Sequence, residues 1–522
     1  MPRLSFYRLS HFKSRDRVLA AVFLESRDKH AQHNKVLRAE YRSCQRLLEK
    51  QDRQIAQLRA RLAELEQLLE LVEQSHAEQQ ECSQSLPHEE TLPHHGYGPA
   101  YIAMCQNLAN RIGFRACSSA LKTIFKYLKI DAKIPHWTSI RLWTVRSGVA
   151  ILEENRQRHD DWVWMADHSC QIGQEKVFVI LGIRLSQMPK DGTPLKQEDM
   201  QVLLIEPGKK WGREEVGQSY LKLAAAMGPP AVLISDGAVE LQDAAKCLKS
   251  LNKNLLVLRD VKHLAANILE RLVGNDEHYR EFAVKVSQTR CAIQQTELGH
   301  LTPPPGKSKG RFMNLAPVLT WASRTLWLLD NKEAKGREDI SVDRFEQKLG
   351  WLREFRDDII KWGQCQEVMS AALTFMNERR VCCGTAAQLS AHLRPLQSCE
   401  LSVQMAKQLV DHVATSESQL APGMRVPLST EILESLFGLY KQLEGQHSKG
   451  GFTSLLPAIA ALSQVATEDA VRRHFTQVSV EQTKAWIAAN LPRTLASRRK
   501  AAFAEAAAAI KMQAQQKPPR PS

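Results

Sequence analysis

Apolar positions along this chain change period several times, and each change marks an element. Between residues 34 and 75, Leu48, Ile55, Leu62 and Leu69 recur every seven residues, with Leu58, Leu65 and Val72 offset by three. This a/d spacing predicts a long helix able to form a short coiled coil, or else an amphipathic helix packed on its own chain. Residues 76–96 are polar, hold two prolines and show no period, as a linker does. Residues 97–155 then carry three short helical patterns: PAYIAMCQNLANRI, ACSSALKTIFKYL after a break at Gly113, and WTSIRLWTVRSGVAILEE after Pro135. Three helices with tight breaks suit a helix-turn-helix unit. On its third helix Ser139, Arg141, Thr144 and Arg146 are the candidates to meet a DNA groove, with Trp143 assigned to the core.

From residue 162 the period shortens. WVWMADHSC, EKVFVILGIRL and MQVLLIEP are apolar, β-rich runs. SYLKLAAAM, PAVLISDGA, a helix over 239–250, NLLVLRD and a helix beginning VKHLAANILERL follow. The order β-β-β-α-β-α-β-α predicts an antiparallel meander extended by parallel strands through helical crossovers. Residues 273–428 read as helical, with Trp321, Trp327, Trp351 and Trp362 spread through them and a basic, proline-rich loop at 302–311. From about residue 453 the chain is helical and Ala-rich and ends in a basic tail.

Composition narrows the picture. The formal net charge is +14 over 522 residues, which favours a polyanionic partner through counterion release. Hydrophobic residues make up 43 %, enough for several cores and against global disorder. Eleven cysteines without a CxxC pair fit reduced thiols better than a disulfide framework or a zinc ribbon. The apolar run at 18–24 is too short to cross a bilayer, so the expectation is a soluble, cytoplasmic protein with no membrane partner.

Candidate chemistry lies in carboxylates. Asp167 closes or interrupts the first strand, and Asp236 ends the fourth. Each alone is equally a turn-former or helix cap. Glu434 sits in LSTEILESLFGLYKQ, where Ser429 or Thr430 can cap a helix whose buried face is Ile432, Leu433, Leu436, Phe437 and Tyr440. Glu434, Gly438 and Lys441 then share the opposite face, where a solvated glutamate is the alternative. Glu431 competes with Glu434 as a first-turn acid. Phosphodiester chemistry makes the set meaningful. Two Mg²⁺ ions about 4 Å apart activate the attacking oxygen and stabilise the leaving one, and hard carboxylate oxygens hold them.

The segments ADHS, ISDGA, RDVKH and TEILESLFGLYK, in that order, resemble the core of DDE-type transposases of bacterial insertion sequences. The pair Asp260 and His263 is similar to the C/D-x-x-H element of Mutator-like transposases. The resemblance implies an RNase H-like mixed sheet interrupted by a helical insertion, within a multidomain α/β plus all-α chain. It implies that Asp167, Asp236 and Glu434 hold two Mg²⁺ or Mn²⁺ ions and carry catalysis, at spacings of 69 and 198 residues. Asp260, His263, His168 and Lys441 are then supporting or DNA-positioning groups, although His168 also reads as pointing to the opposite sheet face. The resulting division is 1–75 basic segment and coiled coil, 76–96 linker, 97–155 helix-turn-helix-like region, and 156–272 first part of the catalytic core. It continues with 273–428 helical insertion, 429–452 glutamate helix, and 453–522 C-terminal helices and basic tail. The implied activity is cleavage at element ends and strand transfer, with double-stranded DNA as partner and a homodimer or higher oligomer on it. A catalytically inactive DNA-binding derivative and an RNase H-like nuclease without strand transfer are the alternatives.

Overall fold

The computed structural model describes residues 91–93, 95–154, 156–172, 175–189, 193–306, 312, 315–331, 341–445, 453–491 and 495–515, besides Ser26. The heptad helix at 34–75 lies outside the described residues, and everything below concerns the unit Leu86–Ser522.

Five strands form one mixed sheet. They are β1 (Trp162–Ile172), β2 (Glu175–Arg184), β3 (Gln201–Gly208), β4 (Val232–Ser235) and β5 (Leu256–Arg259), in the order β3-β2-β1-β4-β5. β1, β2 and β3 pair antiparallel, while β4 runs parallel to β1 and β5 parallel to β4. This is the meander with parallel additions that the period-2 pattern predicts. The sheet is buried on both faces, which is why β4 reads VLIS with no polar alternation.

Helices precede the sheet: α1 (Pro99–Ile112), α2 (Phe114–Leu128) and α3 (Trp137–Glu153). Between β3 and β4 lies α4 (Arg213–Met227), and between β4 and β5 lies α5 (Val239–Leu251). α4 and α5 cover one sheet face, packing Val216, Tyr220, Leu241 and Leu248 on Trp162, Trp164, Phe178 and Ile180. The opposite face, formed by Val163, Met165, Val179, Val232 and Ile234, joins the large helical core.

After β5 come α6 (Val261–Leu269), α7 (Glu277–Ile293), α8 (Ala316–Asp330), α9 (Val342–Leu349), α10 (Arg356–Arg379), α11 (Thr385–Leu393) and α12 (Glu400–Glu417). Of the tryptophans expected here, Trp362 is buried in an aromatic knot, its ring 5.3 Å from Tyr279 and 5.2 Å from Phe282. The helical run ends where it began. Val261 N–H donates to Leu428 O at 2.9 Å, and Val381 pairs with Val426 in an isolated bridge. That closure delivers α13 (Glu431–Gly445) to β1.

The chain finishes with α14 (Ala458–Leu462), α15 (Glu468–Gln477), α16 (Val480–Asn490) and the exposed, Ala-rich α17 (Leu495–Gln515). α14 to α16 pack on α3, so the helices that precede the sheet and those that follow α13 share a core. α3 reaches α14 at Gly148, where a Cβ would overlap the Pro457 carbonyl. Because that obstacle is backbone, Gly148→Ala should destabilise the protein by about 1–3 kcal/mol. Urea unfolding of the variant against the parent reads this directly, and an unchanged midpoint would disprove the close approach.

Candidate metal centre

Strand register builds the site. The last parallel pairs are Ala166 with Ser235, and Ser235 with Arg259. The next residue on each strand is therefore Asp167, Asp236 and Asp260, one row across three neighbouring strands. The ladder extends by one bond into that row, from Asp260 N–H to Ser235 O at 2.8 Å. Side chains alternate along a strand, so Asp167 shares its face with Val163 and Met165, and Asp236 with Val232 and Ile234. Both emerge on the face that carries the large helical core. Asp167 does not close β1. The strand continues to Ile172, paired with β2 alone, because β4 stops at Ser235.

Asp236 also makes a turn. Its Oδ1 accepts from Ala238 N–H at 2.8 Å, and Gly237 follows at φ +88°, a conformation that glycine adopts without strain. The turn-forming role expected of an aspartate here is thus present, and it occupies one oxygen only. Asp167 Oδ1 accepts from the backbone N–H of His168 at 2.6 Å. Burial pushes the Asp167 carboxyl up to about 7, Asp236 adds to the rise, and Glu434 adds a smaller part; His263 and the His168 amide oppose it.

Glu434 arrives from the first turns of α13. Ser429 Oγ accepts from Glu431 N–H at 3.2 Å, as a helix N-cap does. Thr430 Oγ1 instead donates to Asp260 Oδ2 at 2.7 Å, pinning the start of α13 to the end of β5. Asp260 is fully buried and its oxygens are engaged: Oδ1 by Lys262 N–H at 2.8 Å, Oδ2 by Thr430 and by His263 Nδ1 at 2.6 Å. It therefore holds His263 rather than facing the cleft. His263 Nε2 lies 4.0 Å from Glu434 Oε1. One atom each of Asp260, His263 and Glu434 falls within 4.8 Å of the others, a spacing compatible with a metal ion. Because Asp260 already accepts from the Nδ1 side, the members of this group left to meet an ion are His263 and Glu434.

Two basic side chains face the carboxylates. Lys262 Nζ lies 2.8 Å from Glu434 Oε2 and 3.2 Å from Glu431 Oε1. Burial would lower the lysine's pKa, but its bonds to Glu434 and then Glu431 outweigh this and raise it. Burial likewise works against a charged His263, and the bond to Asp260, with Asp167 and Glu434 nearby, raises its pKa overall. Glu431 is the more exposed acid and also accepts from Asn377 Nδ2 at 2.6 Å. Glu434 is the one that couples to Asp167 and His263.

The other candidates lie elsewhere. His168 points to the α4–α5 face, its ring 5.0 Å from Phe178 and 5.6 Å from Trp211, and burial lowers its pKa. Lys441 is exposed, two turns along α13 from Glu434. The groove-facing assignment on α3 is corrected for Thr144 and Arg146. Thr144 is fully buried and donates to Ile140 O at 3.0 Å. Arg146 is buried, donating to Val478 O and to Phe475 O at 2.6 Å, with its guanidinium 4.2 Å from the Phe475 ring centroid. Arg141 is half-buried and donates to Ser454 Oγ at 2.7 Å, while Ser139 is half-buried. Partners more than 300 residues downstream fold over this face. Sequence reasoning passed over Lys262 and gave Thr430 only a capping role. The lysine inside RDVKH, one residue before the histidine, was the available signal for the former.

No family model matches the chain, and no curated relative does. Among solved structures it is similar to the Drosophila P element transposase strand transfer complex at 12 % identity, covering 72 % of this chain and 92 % of that one, with a TM-score of 0.34. At that score the backbones diverge too far for residue-by-residue correspondence, and no site residue is transferred from it.

Two predictions arise from these contacts. An acid whose folded pKa exceeds its unfolded one keeps its proton longer when folded, so its contribution to stability falls as pH rises between the two values. For Asp167 that window runs from about 4 to about 7. In EDTA at pH 8, Asp167→Asn should therefore stabilise the protein by on the order of 2 kcal/mol, with the gain vanishing near pH 4. Denaturant titrations at the two pH values test this, and a pH-independent difference would refute the raised pKa of Asp167. Separately, Arg146→Met strands the carbonyls of Val478 and Phe475 and should cost about 2 kcal/mol of stability. Affinity of the folded protein for duplex DNA, measured by fluorescence anisotropy, should not change; a selective loss of affinity would return Arg146 to the DNA surface.

Proposed function

We propose that this protein is a metal-dependent DNA transposase with an RNase H-like core, in which Asp167, Asp236 and Glu434 hold divalent metal ions. The observation that carries the reading is the in-register pairing of Asp167 and Asp236 at adjacent parallel strand ends, with Glu434 close enough to both Asp167 and His263 to shift their protonation. Desolvated acids crowded in this way gain most from a nearby cation of high charge. Lys262 partly meets that need from within the chain. Divalent ions held by these carboxylates would activate an attacking oxygen and stabilise the leaving oxygen of a phosphodiester. Asp260, fixed by Thr430, orients His263. Lys262 holds Glu434 in place and is long enough to turn toward a phosphate. With an imidazole nitrogen beside carboxylates, Mn²⁺ suits the donor set better than Mg²⁺ does.

In this reading, residues 156–272 and 429–452 make the catalytic core and 273–428 an insertion that brings the glutamate helix to it. The heptad stripe at 48–72 would pair copies of the protein on two DNA ends. Double-stranded DNA is the substrate class, consistent with the +14 charge.

The test begins with the purified full-length protein, supercoiled plasmid and 1 mM Mn²⁺. Nicking should appear with Mn²⁺, weaken with Mg²⁺ and be absent in EDTA. Asp236→Asn and Glu434→Gln should each lower the rate by at least ~100-fold, since each removes a charged ligand from the ions. Glu431→Gln should cost less than ~5-fold, as its carboxylate is the outlying one. Oligonucleotide duplexes from the DNA flanking the gene then distinguish cleavage with joining from cleavage alone. Nicking that survives Glu434→Gln but not Glu431→Gln would replace the third ligand. Metal-independent or absent nicking with intact DNA binding would favour the inactive DNA-binding derivative.

A further inference from the structure

Most of the exposed charge of the N-terminal region lies on α2, the middle one of the first three helices; Arg111 at the end of α1 and Lys133 after α2 are the other exposed cations. Between residues 97 and 152 the sole acidic side chain is Asp131, against eight lysines and arginines. Burial divides those cations. Arg146 is consumed inside the fold and Arg141 is half-buried. Arg115, Lys122, Lys126 and Lys129 are all exposed on α2 or its C-cap. Their spacing of seven, four and three residues keeps them on one side of the helix. The stripe runs about 21 Å from first to last at 1.5 Å per residue, a length that crosses several phosphates of a duplex. Among the described residues none of the four is paired with a carboxylate. Arg115 rests its guanidinium 4.6 Å from the Trp137 ring centroid, which fixes its base and leaves its donors at the surface. Tyr127 stands beside the stripe at 86 % exposure, unusually open for a tyrosine.

A basic residue at a helix C-terminus also serves the helix dipole, and Lys126 and Lys129 do so here. Arg115 and Lys122 lie in the first and middle turns, where that account does not apply. A run of like charges without intervening acids costs self-repulsion, which a polyanion relieves.

We propose that the exposed face of α2 is a docking surface for the phosphate backbone of duplex DNA. Lys122, Lys126 and Lys129 contact phosphates, and Tyr127 supplies a hydroxyl to phosphate or sugar. The partner class rests on the function proposed above; the surface rests on charge and exposure in α2, which that function does not use.

The experiment is duplex binding by the full-length protein, followed by anisotropy from 50 to 300 mM KCl with a 30-base-pair oligonucleotide. Lys122→Glu/Lys126→Glu/Lys129→Glu is compared with Lys209→Glu/Lys210→Glu/Lys249→Glu, which changes charge equally at exposed positions away from α2. For the α2 variant the slope of log K against log[KCl] should become shallower by about three, and affinity at 100 mM should fall at least ~30-fold. The control should change less than ~5-fold. Thermal melts confirm that both variants fold, and Lys122→Gln/Lys126→Gln gives a milder loss in the same direction if the reversal does not fold. Equal losses in the two triple variants, or no loss in either, overturn the surface. So does wild-type protein that binds phosphatidylserine vesicles through these lysines but binds no duplex. Duplex binding through α2 in a protein that never nicks plasmid supports the surface and sinks the catalytic reading. Nicking by a protein whose α2 variant binds normally does the reverse.

Discussion

Two carboxylates that strand register holds side by side, Asp167 with its charge disfavoured by burial, are the constraint on which the candidate site depends. Parallel pairing between β1 and β4 leaves no freedom in this: once Ala166 faces Ser235, Asp167 and Asp236 must be neighbours. Burial raises the pKa of Asp167, Asp236 adds to the rise and His263 opposes it. Lys262 and His263 lie on the first turn of α6, the lysine bonded to Glu434 and the histidine to the buried Asp260.

The helical run from α6 to α12 gains its meaning from the same place. Its outward and return paths meet at Val261 and Leu428, and the bond from Thr430 to Asp260 joins the start of α13 to the end of β5. A segment of some 170 residues thus begins and ends within one hydrogen bond of the acid row. His412 on α12 adds a further tie, 3.1 Å from the Arg259 carbonyl. The arrangement keeps Glu434 at a set position even though it is distant in the chain from the aspartates.

Much of this was legible in the residues. Period-2 runs separated by helical patterns gave the strands their places, and a strand ending in aspartate after four apolar residues marked Asp236. The Ser429-Thr430 pair ahead of an apolar helical face marked α13 and its glutamate. What could not be read was any contact between distant segments. Lys262 looks like an ordinary helix lysine until α13 is brought beside it. Arg146 looks like a surface arginine on a polar helix until Phe475 and Val478 cover it. Thr144, with its hydroxyl returned to its own helix backbone, misled for the same reason. Conversely, α2 reads in the sequence only as the second helix of the trihelical pattern, with the groove contacts assigned to the third, although α2 holds the exposed cations.

The closure between β5 and α13 has a further consequence, in time rather than in space. Asp167 lies 267 residues ahead of Glu434 in the chain and Asp236 lies 198 ahead, while the last strand of their sheet ends at Arg259, 175 ahead. At roughly 5–20 residues per second of synthesis, that last strand precedes the glutamate by roughly 9–35 s. During that interval Lys262 and His263 have been made and Glu434 has not, so both basic side chains lack the glutamate they face in the folded protein. A growing chain therefore carries the acid row in an incomplete form. The full set of acids assembles only when the polypeptide has passed residue 434, by which point the whole helical segment has had the opportunity to fold.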